Sequence, residues 1–243
     1  IPARYESTRF PGKPLALIDG RPMIVCVYER ARATRAHEVI VATDDERIAA
    51  AARLAGADVC MTASSHASGT DRIAEVARER GFGTDDIVVN LQGDEPRMPA
   101  ALVEQAAAAL AAHPAASIAT VAAPVRSREE YLDPNVVKVV TDREGRALYF
   151  SRAPIPWPRD AFARSREEIP ERLRAQRHIG IYAYRVDFLN RFVAWPVGTL
   201  EGFESLEQLR ALEHGVRIHV AQACAPIPGG VDTPADLARV DAP

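Results

Sequence analysis

The chain of 243 residues is 47% hydrophobic and 26% charged, enough apolar content for one large domain or a domain with a sizeable insertion. Its formal net charge of -3 excludes a global basic field for nucleic acid, so any cationic site has to be local. The alanine-rich run "ALVEQAAAALAAHPAAS" contains Glu104, Gln105 and His113 and is no membrane span, which needs about 20 predominantly apolar residues.

No secretory signal is visible. Cys26, Cys60 and Cys224 are odd in number, far apart and without Cys-x-x-Cys spacing, which argues against a disulfide framework or a zinc site. Three small apolar residues in a reducing cytoplasm is the expectation.

In chain order, "IPARYESTRFPGKPL" is expected to follow a strand that ends at Ile1, with the start of that strand absent from the sequence. "PMIVCVYERARAT" reads as the first helix, with Pro22 near its start. "HEVIVATDD" is a β-branched run ended by an acidic turn, and "ERIAAAARLAG" a helix closed by Gly56. "ADVCMT" is a strand, "TDRIAEVARERG" an amphipathic helix with Ile73, Val76 and Ala77 on one face, and "DIVVNL" a buried strand ending at Leu91. "PAALVEQAAAALAAH" is a helix opened by Pro99, and "ASIATVAAPV" a further strand. This alternation predicts an α/β fold: a mostly parallel, Rossmann-like sheet with helices on both faces. The opening loop then lies at the carboxyl edge of the sheet, where ligands of open α/β sheets bind.

After Pro124 the rhythm changes. "NVVKVVTDREGRALYFSR" reads as a hairpin, "APIPWPRD" is too proline-rich for a helix, and "RHIGIYAYR" is a strand. "VDFLNRFVAW" and "ESLEQLRALEHG" read as helices, "VRIHVAQA" as a strand, and "TPADLARVDA" as a helix capped by Thr233. The expected division is a nucleotide-binding domain of residues 1–123 and 223–243. An inserted α+β subdomain with antiparallel strands, residues 124–222, completes a pocket.

Arg4, Arg9 and Lys13 crowd the opening loop beside Ser7, Thr8 and Gly12. A polyphosphate needs close backbone approach, a bidentate guanidinium and a mobile ammonium, which Gly12, Arg9 and Lys13 can supply. The competing reading is a solvated cationic loop. Neither a Walker A motif nor a dinucleotide fingerprint is present. In "NLQGDEP", Asp94 follows the strand at the same edge, and "GGVDTPADL" offers Asp232. Magnesium takes few protein ligands and bonds phosphate oxygens, so two such carboxylates suffice. Taken singly, Asp232 is a helix cap and Asp94 a turn aspartate; beside the cationic loop the metal reading is favoured. Asp71 and Arg72 read as a charge pair at a helix start. His178, Glu207, Gln208 and Arg152 each read alone as structural.

The stretches "IPARYESTRFPGKPL", "GTDR", "VNLQGDEP", "YFSRAPIPW", "RHIGIYAYR", "LEQLR" and "GVDTPADL", in this order, resemble the CMP-KDO synthetases, the 3-deoxy-manno-octulosonate cytidylyltransferases of the nucleotide-sugar-pyrophosphorylase-like fold. The resemblance runs from Ile1 to the last helix. It implies CMP transfer from CTP to the anomeric hydroxyl of 3-deoxy-D-manno-octulosonate (KDO), with pyrophosphate released and CMP-KDO made for lipopolysaccharide synthesis, in a cytoplasmic homodimer. Arg9 and Lys13 would contact the triphosphate, Arg4 and Ser7 would shape the loop, and Arg72 and Gln92 would place the nucleoside. Asp94 and Asp232 would bind Mg2+. Arg152, His178, Tyr182, Glu207 and Gln208 would lie near the sugar acid. Glu6 and Arg97 depart from the pattern without removing a ligand. Open alternatives are another acceptor, such as a sialic acid or methylerythritol phosphate, and a non-catalytic nucleotide-binding domain.

Overall fold

The β-branched runs become strands because each is closed by a turn residue that its backbone requires. The computed structural model describes residues 1–6, 10–170, 172–231 and 233–240. The first half runs β1 (Pro2–Ala3), a 3-10 turn at Lys13–Leu15, β2 (Leu17–Ile18), β3 (Arg21–Pro22), α1 (Met23–Arg32), β4 (Ile40–Thr43), α2 (Glu46–Leu54), β5 (Asp58–Met61), α3 (Gly69–Glu79), β6 (Ile87–Asn90), α4 (Ala100–Ala112) and β7 (Ile118–Pro124). The second half runs α5 (Arg128–Leu132), β8 (Lys138–Thr141), β9 (Ala147–Ser151), α6 (Arg159–Phe162), β10 (Gln176–Arg185), α7 (Val186–Phe192), α8 (Thr199–Glu204), α9 (Gln208–Glu213), β11 (Ile218–Gln222) and α10 (Pro234–Val240).

Asp45 caps α2 by accepting from the Arg47 and Ile48 amides, and Ser68 caps α3 in a reciprocal box with Asp71. Thr233 opens α10 in the same way, accepting from the Asp236 amide.

β1, β4 and β5 form a parallel sheet with β4 central. A second, mixed sheet has the order β11-β7-β10-β8-β9, with β6 also paired to β10. β11 and β7 are parallel, and β10 runs antiparallel to β6, β7 and β8. The two sheets meet where Gly93 lies against β1: a Cβ on Gly93 would stand 2.9 Å from the Pro2 carbonyl oxygen. One core layer joins α4 to this seam through Leu91, Met98, Leu102, Ala106 and Ile181; another packs α3, α7 and α9 on β7 and β11.

Two local features differ from the sequence reading. The helix expected over "ESLEQLRALEHG" is interrupted: α8 ends at Glu204, Ser205 adopts a left-handed backbone (φ 50), and α9 starts at Gln208. Leu206, Leu209 and Leu212, spaced three apart, mark the face that packs, and that spacing is blind to a one-residue reversal of backbone hand. Asp71 and Arg72 do not pair with each other; Asp71 turns back to Ser68 while Arg72 reaches Asp44. All three cysteines are free thiols, Cys26 and Cys60 buried and Cys224 exposed.

Candidate active site

The loops after β1, β4 and β5 leave the same edge of the parallel sheet, and the loop after β6 is brought to that edge where Gly93 lies against β1. Gly12 has φ 72, and a Cβ there would meet the Tyr5 ring at 3.1 Å; its amide donates to the Tyr5 carbonyl at 2.9 Å. The Tyr5 ring lies 3.5 Å from the Arg47 guanidinium, which Asp45 holds through two bonds of 3.0 and 2.6 Å. The loop is therefore folded back on itself by a glycine only glycine's backbone permits, and braced from the start of α2.

That fold delivers Lys13 to Asp94, Nζ to Oδ2 at 2.7 Å. Asp94 is fixed by its own main chain, whose carbonyl accepts from the Val231 amide at 3.0 Å. Beside it, a Cβ on Gly230 would stand 2.9 Å from Glu95 Oε1. The segment just before α10 is thus stitched to the loop after β6. Arg4 is exposed on the rim, and Gln92 lies close to Gly69 at the start of α3. Ser7, Arg9 and Asp232 lie outside the described residues. Among the described residues, no three acidic, histidine or cysteine side chains gather as a metal cluster.

Arg72 is almost wholly buried. It contacts Asp44 at 3.2 Å, the Thr62 hydroxyl, and the Ala63 carbonyl at 3.4 Å. It ties together the loops after β4 and β5, so Asp44 and Thr62 are members of this edge that sequence reasoning missed. The acidic turn "TDD" was the available signal for Asp44.

A second cluster lies on β10. Opposite β7 the strand carries extra residues between Ile179 and Tyr182. The bulge brings His178 and Tyr182 side by side, ring centroids 5.1 Å apart. Tyr182 stacks on Tyr184 at 5.6 Å, and Phe150 meets His178 edge-on at 5.1 Å. His178 Nε2 lies 2.8 Å from the Thr120 hydroxyl, which donates its one proton to the Ile181 carbonyl at 2.7 Å. That assigns the imidazole proton to Nε2 and leaves Nδ1 as an acceptor. Burial pulls the His178 pKa down to about 3, so the ring is neutral.

Glu207 accepts from the Ser68 hydroxyl at 2.8 Å and the Thr70 hydroxyl at 2.6 Å, which joins the start of α9 to the start of α3. Burial raises its pKa, partly offset by those two bonds. Gln208 is buried next to it, with its amide nitrogen unpartnered among the described residues. Arg152, just past β9, has its guanidinium against the Glu204, Pro134 and Ser205 carbonyls. The β10 residues and Glu207 form one aromatic and acidic wall, and Arg152 is joined to it through the α8–α9 turn.

Residues 1–218 match the family described as Cytidylyltransferase. The chain belongs to the cytidylyltransferase family. Among its relatives, a 3-deoxy-manno-octulosonate cytidylyltransferase of Cellvibrio japonicus (strain Ueda107) is 60% identical over 243 residues, covering 100% of this chain and 95% of that protein. One of Aeromonas hydrophila subsp. hydrophila is 57% identical over 246 residues, covering 100% of this chain and 96% of that protein. This cytidylyltransferase also superposes on a solved structure of CMP:2-keto-3-deoxy-manno-octonic acid synthetase complexed with CTP. The TM-score is 0.89 at 44% identity, over 99% of this chain and 94% of that one. A cytidylyltransferase from Leptospira borgpetersenii serovar Hardjo-bovis (strain JB197), 14% identical with a TM-score of 0.62, shares the fold.

Proposed function

We propose that this cytidylyltransferase transfers CMP from CTP to the anomeric hydroxyl of 3-deoxy-D-manno-octulosonate. The hydroxyl oxygen forms a bond to the α-phosphorus, the bond from that phosphorus to the bridging oxygen breaks, pyrophosphate leaves, and the hydroxyl proton is lost. The observation that carries this reading is the Lys13–Asp94 pair at 2.7 Å, where the loop after β1, the loop after β6 and the segment before α10 converge. The names of relatives 57–60% identical over the whole chain support the choice of nucleotide and acceptor.

In this reading Lys13, Arg9 and Arg4 take the triphosphate, with Ser7 on the same loop, and Gln92 and Arg72 set the walls around the nucleoside. Asp94 and Asp232 would hold Mg2+; a donor set of two carboxylates completed by phosphate oxygens fits that ion. When bound, the ion supplies charge neutralisation of the triphosphate and acidifies the attacking hydroxyl. Lys13 exchanges its carboxylate partner for phosphate and stabilises negative charge on the departing pyrophosphate. Neutral His178, Tyr182, Glu207 and Gln208 offer hydrogen bonds to sugar hydroxyls, and Arg152 meets the sugar carboxylate. Residues 1–123 and 223–243 serve the nucleotide, and 124–222 the sugar acid and a homodimer contact. The compartment we assign is the cytoplasm; among the described residues no helix is long and apolar enough to cross a membrane.

The test is pyrophosphate release with CTP, Mg2+ and KDO, omitting each in turn, and with a sialic acid replacing KDO. Release only with the complete KDO mixture is expected. Equal turnover with the sialic acid would discard the acceptor assignment, and nucleotide binding without release under any acceptor would discard catalysis.

A further inference from the structure

Arg152 is held in an unusual way for a cation on the surface of a sugar-acid pocket. Its Nε donates to the Glu204 carbonyl at 2.6 Å, Nη1 to the Pro134 carbonyl at 3.0 Å, and Nη2 lies 3.5 Å from the Ser205 carbonyl. All three acceptors are neutral, and no carboxylate pairs with this guanidinium among the described residues. Its orientation is thus fixed while its charge is left for an anionic ligand. An ion pair would have fixed the orientation too, but at the expense of that charge.

Two other residues hold those carbonyls in place. Glu204 engages the end of β9 with its carboxylate, not the guanidinium. Oε2 accepts from the Arg152 amide at 2.9 Å and Oε1 from the Ser151 hydroxyl at 2.6 Å. Lys138 lies opposite Ser151 in the β8–β9 ladder and is fully buried. Its ammonium donates to the carbonyls of Asp133 and Arg152, each at 2.8 Å, and of Val136. Lys138 therefore grips the Arg152 main chain from one side and the turn at 133–136, which includes the Pro134 acceptor, from the other. Burying a lysine without a carboxylate partner is costly; desolvation already pulls its pKa down. A methionine of similar shape would fill the same space but leave three carbonyls without this donor, so the ammonium serves to hold main chain and not merely to fill volume.

We propose that Lys138 and Glu204 are positioning residues for the acceptor, setting the Arg152 guanidinium for the sugar-acid carboxylate without neutralising it. This deepens the proposed function and rests on it. The effect has to run through Arg152, which separates it from a general contribution to folding.

The test is steady-state kinetics of the full chain with CTP, Mg2+ and KDO for Lys138→Met and Glu204→Gln, each alone and combined with Arg152→Ala. Misplacing a binding group by about 1 Å can cost about a hundredfold, so Lys138→Met is expected to raise the KM for the sugar acid about tenfold to a hundredfold. The KM for CTP should stay within about twofold, since the nucleotide loop is untouched. In the Arg152→Ala background the same substitutions should change the sugar-acid KM by less than about twofold, because the residue they act through is gone. A parallel rise in both KM values, or effects that multiply in the double variants, would overturn the proposal, as would an unchanged sugar-acid KM in Glu204→Gln. If Lys138→Met fails to fold, Glu204→Gln, which keeps the shape but offers one acceptor oxygen to the two donors, decides alone. Failure of the parent reading looks different: the unaltered protein would release no pyrophosphate with KDO.

Discussion

Lys13 and Asp94 illustrate how a single contact can be weak for stability and yet, in the proposed reaction, decisive for chemistry. The Asp94 side chain is a third exposed, so the pair contributes no more than about 1 kcal/mol to folding. Asp94→Asn is therefore expected to leave the thermal midpoint nearly unchanged while lowering kcat by at least about a hundredfold, beyond the loss typical of an outer-shell partner. Circular dichroism melts and pyrophosphate release measured on the same preparation check both halves; near-normal turnover would remove Asp94 from the reaction. His178 behaves in the opposite way, coupling strongly to stability through its proton. Its ring is neutral when folded, with a pKa of about 3, whereas in the unfolded chain it titrates near about 6.5. Its contribution is fully present above the unfolded value and is lost as pH falls from there towards 3. Glu207, whose pKa is raised by burial, works in the other sense and favours the folded state at lower pH. Melting curves of His178→Gln at pH 7 and pH 5 should differ less than those of the unaltered protein, and an undiminished difference would refute this account.

At the scale of the element, what decides the site is how loops are pressed together, and glycines show where. A methyl group on Gly93 would stand 2.9 Å from a backbone oxygen of β1, and neither backbone can step aside cheaply. Gly93→Ala is expected to cost about 1–3 kcal/mol, the range for overpacking, and to shift the adjoining Asp94. A methyl on Gly180, at the β10 bulge, meets nothing within 4 Å, so Gly180→Ala should not show that loss in the same denaturant titration. Equal destabilisation by the two would argue against close packing at the seam. The contrast also marks what the sequence made legible. Strands such as Ile87–Asn90 and helices such as Ala100–Ala112 were readable because residues three to four or two apart share a face, which is local information. Lys13 and Asp94 were readable as types at one sheet edge. The reversal at Ser205, the bulge that pairs His178 with Tyr182, and the reach of Arg72 to Asp44 are set by distant neighbours and leave no periodic trace. Lys138 did leave a faint one: in "NVVKVV" a period of two puts it on the same side as Val136 and Val140, an odd place for a solvated lysine. Nothing comparable marks Glu204, which looks like any charged residue at a helix end.

On the scale of the whole molecule, the side proposed to take the sugar acid carries apolar surface that a lone chain leaves in water. Phe203 is 88% exposed and Val197 66%, with Leu200 one turn from Phe203 on α8. Single exposed hydrophobics are ordinary, but a phenylalanine, a valine and a leucine on one short helix and its approach form a patch suited to burial against another surface. A second copy presenting the same patch is the simplest partner, since two-fold contacts are self-complementary. The patch also has a mechanical link to the site, because α8 ends in Glu204, which holds the Arg152 amide at 2.9 Å, and in Ser205, whose successor turn carries Glu207. Covering the patch would steady that helix end. Light scattering of the unaltered protein should then give twice the 26.4 kDa of the chain. Phe203→Asp should give the mass of one chain at the same concentration, and should raise the KM for the sugar acid while leaving that for CTP in place. A single-chain mass for the unaltered protein would exclude the dimer. A Phe203→Asp protein that stays double would move the contact off α8, and a monomeric variant with unchanged sugar-acid KM would show that assembly and acceptor binding are independent.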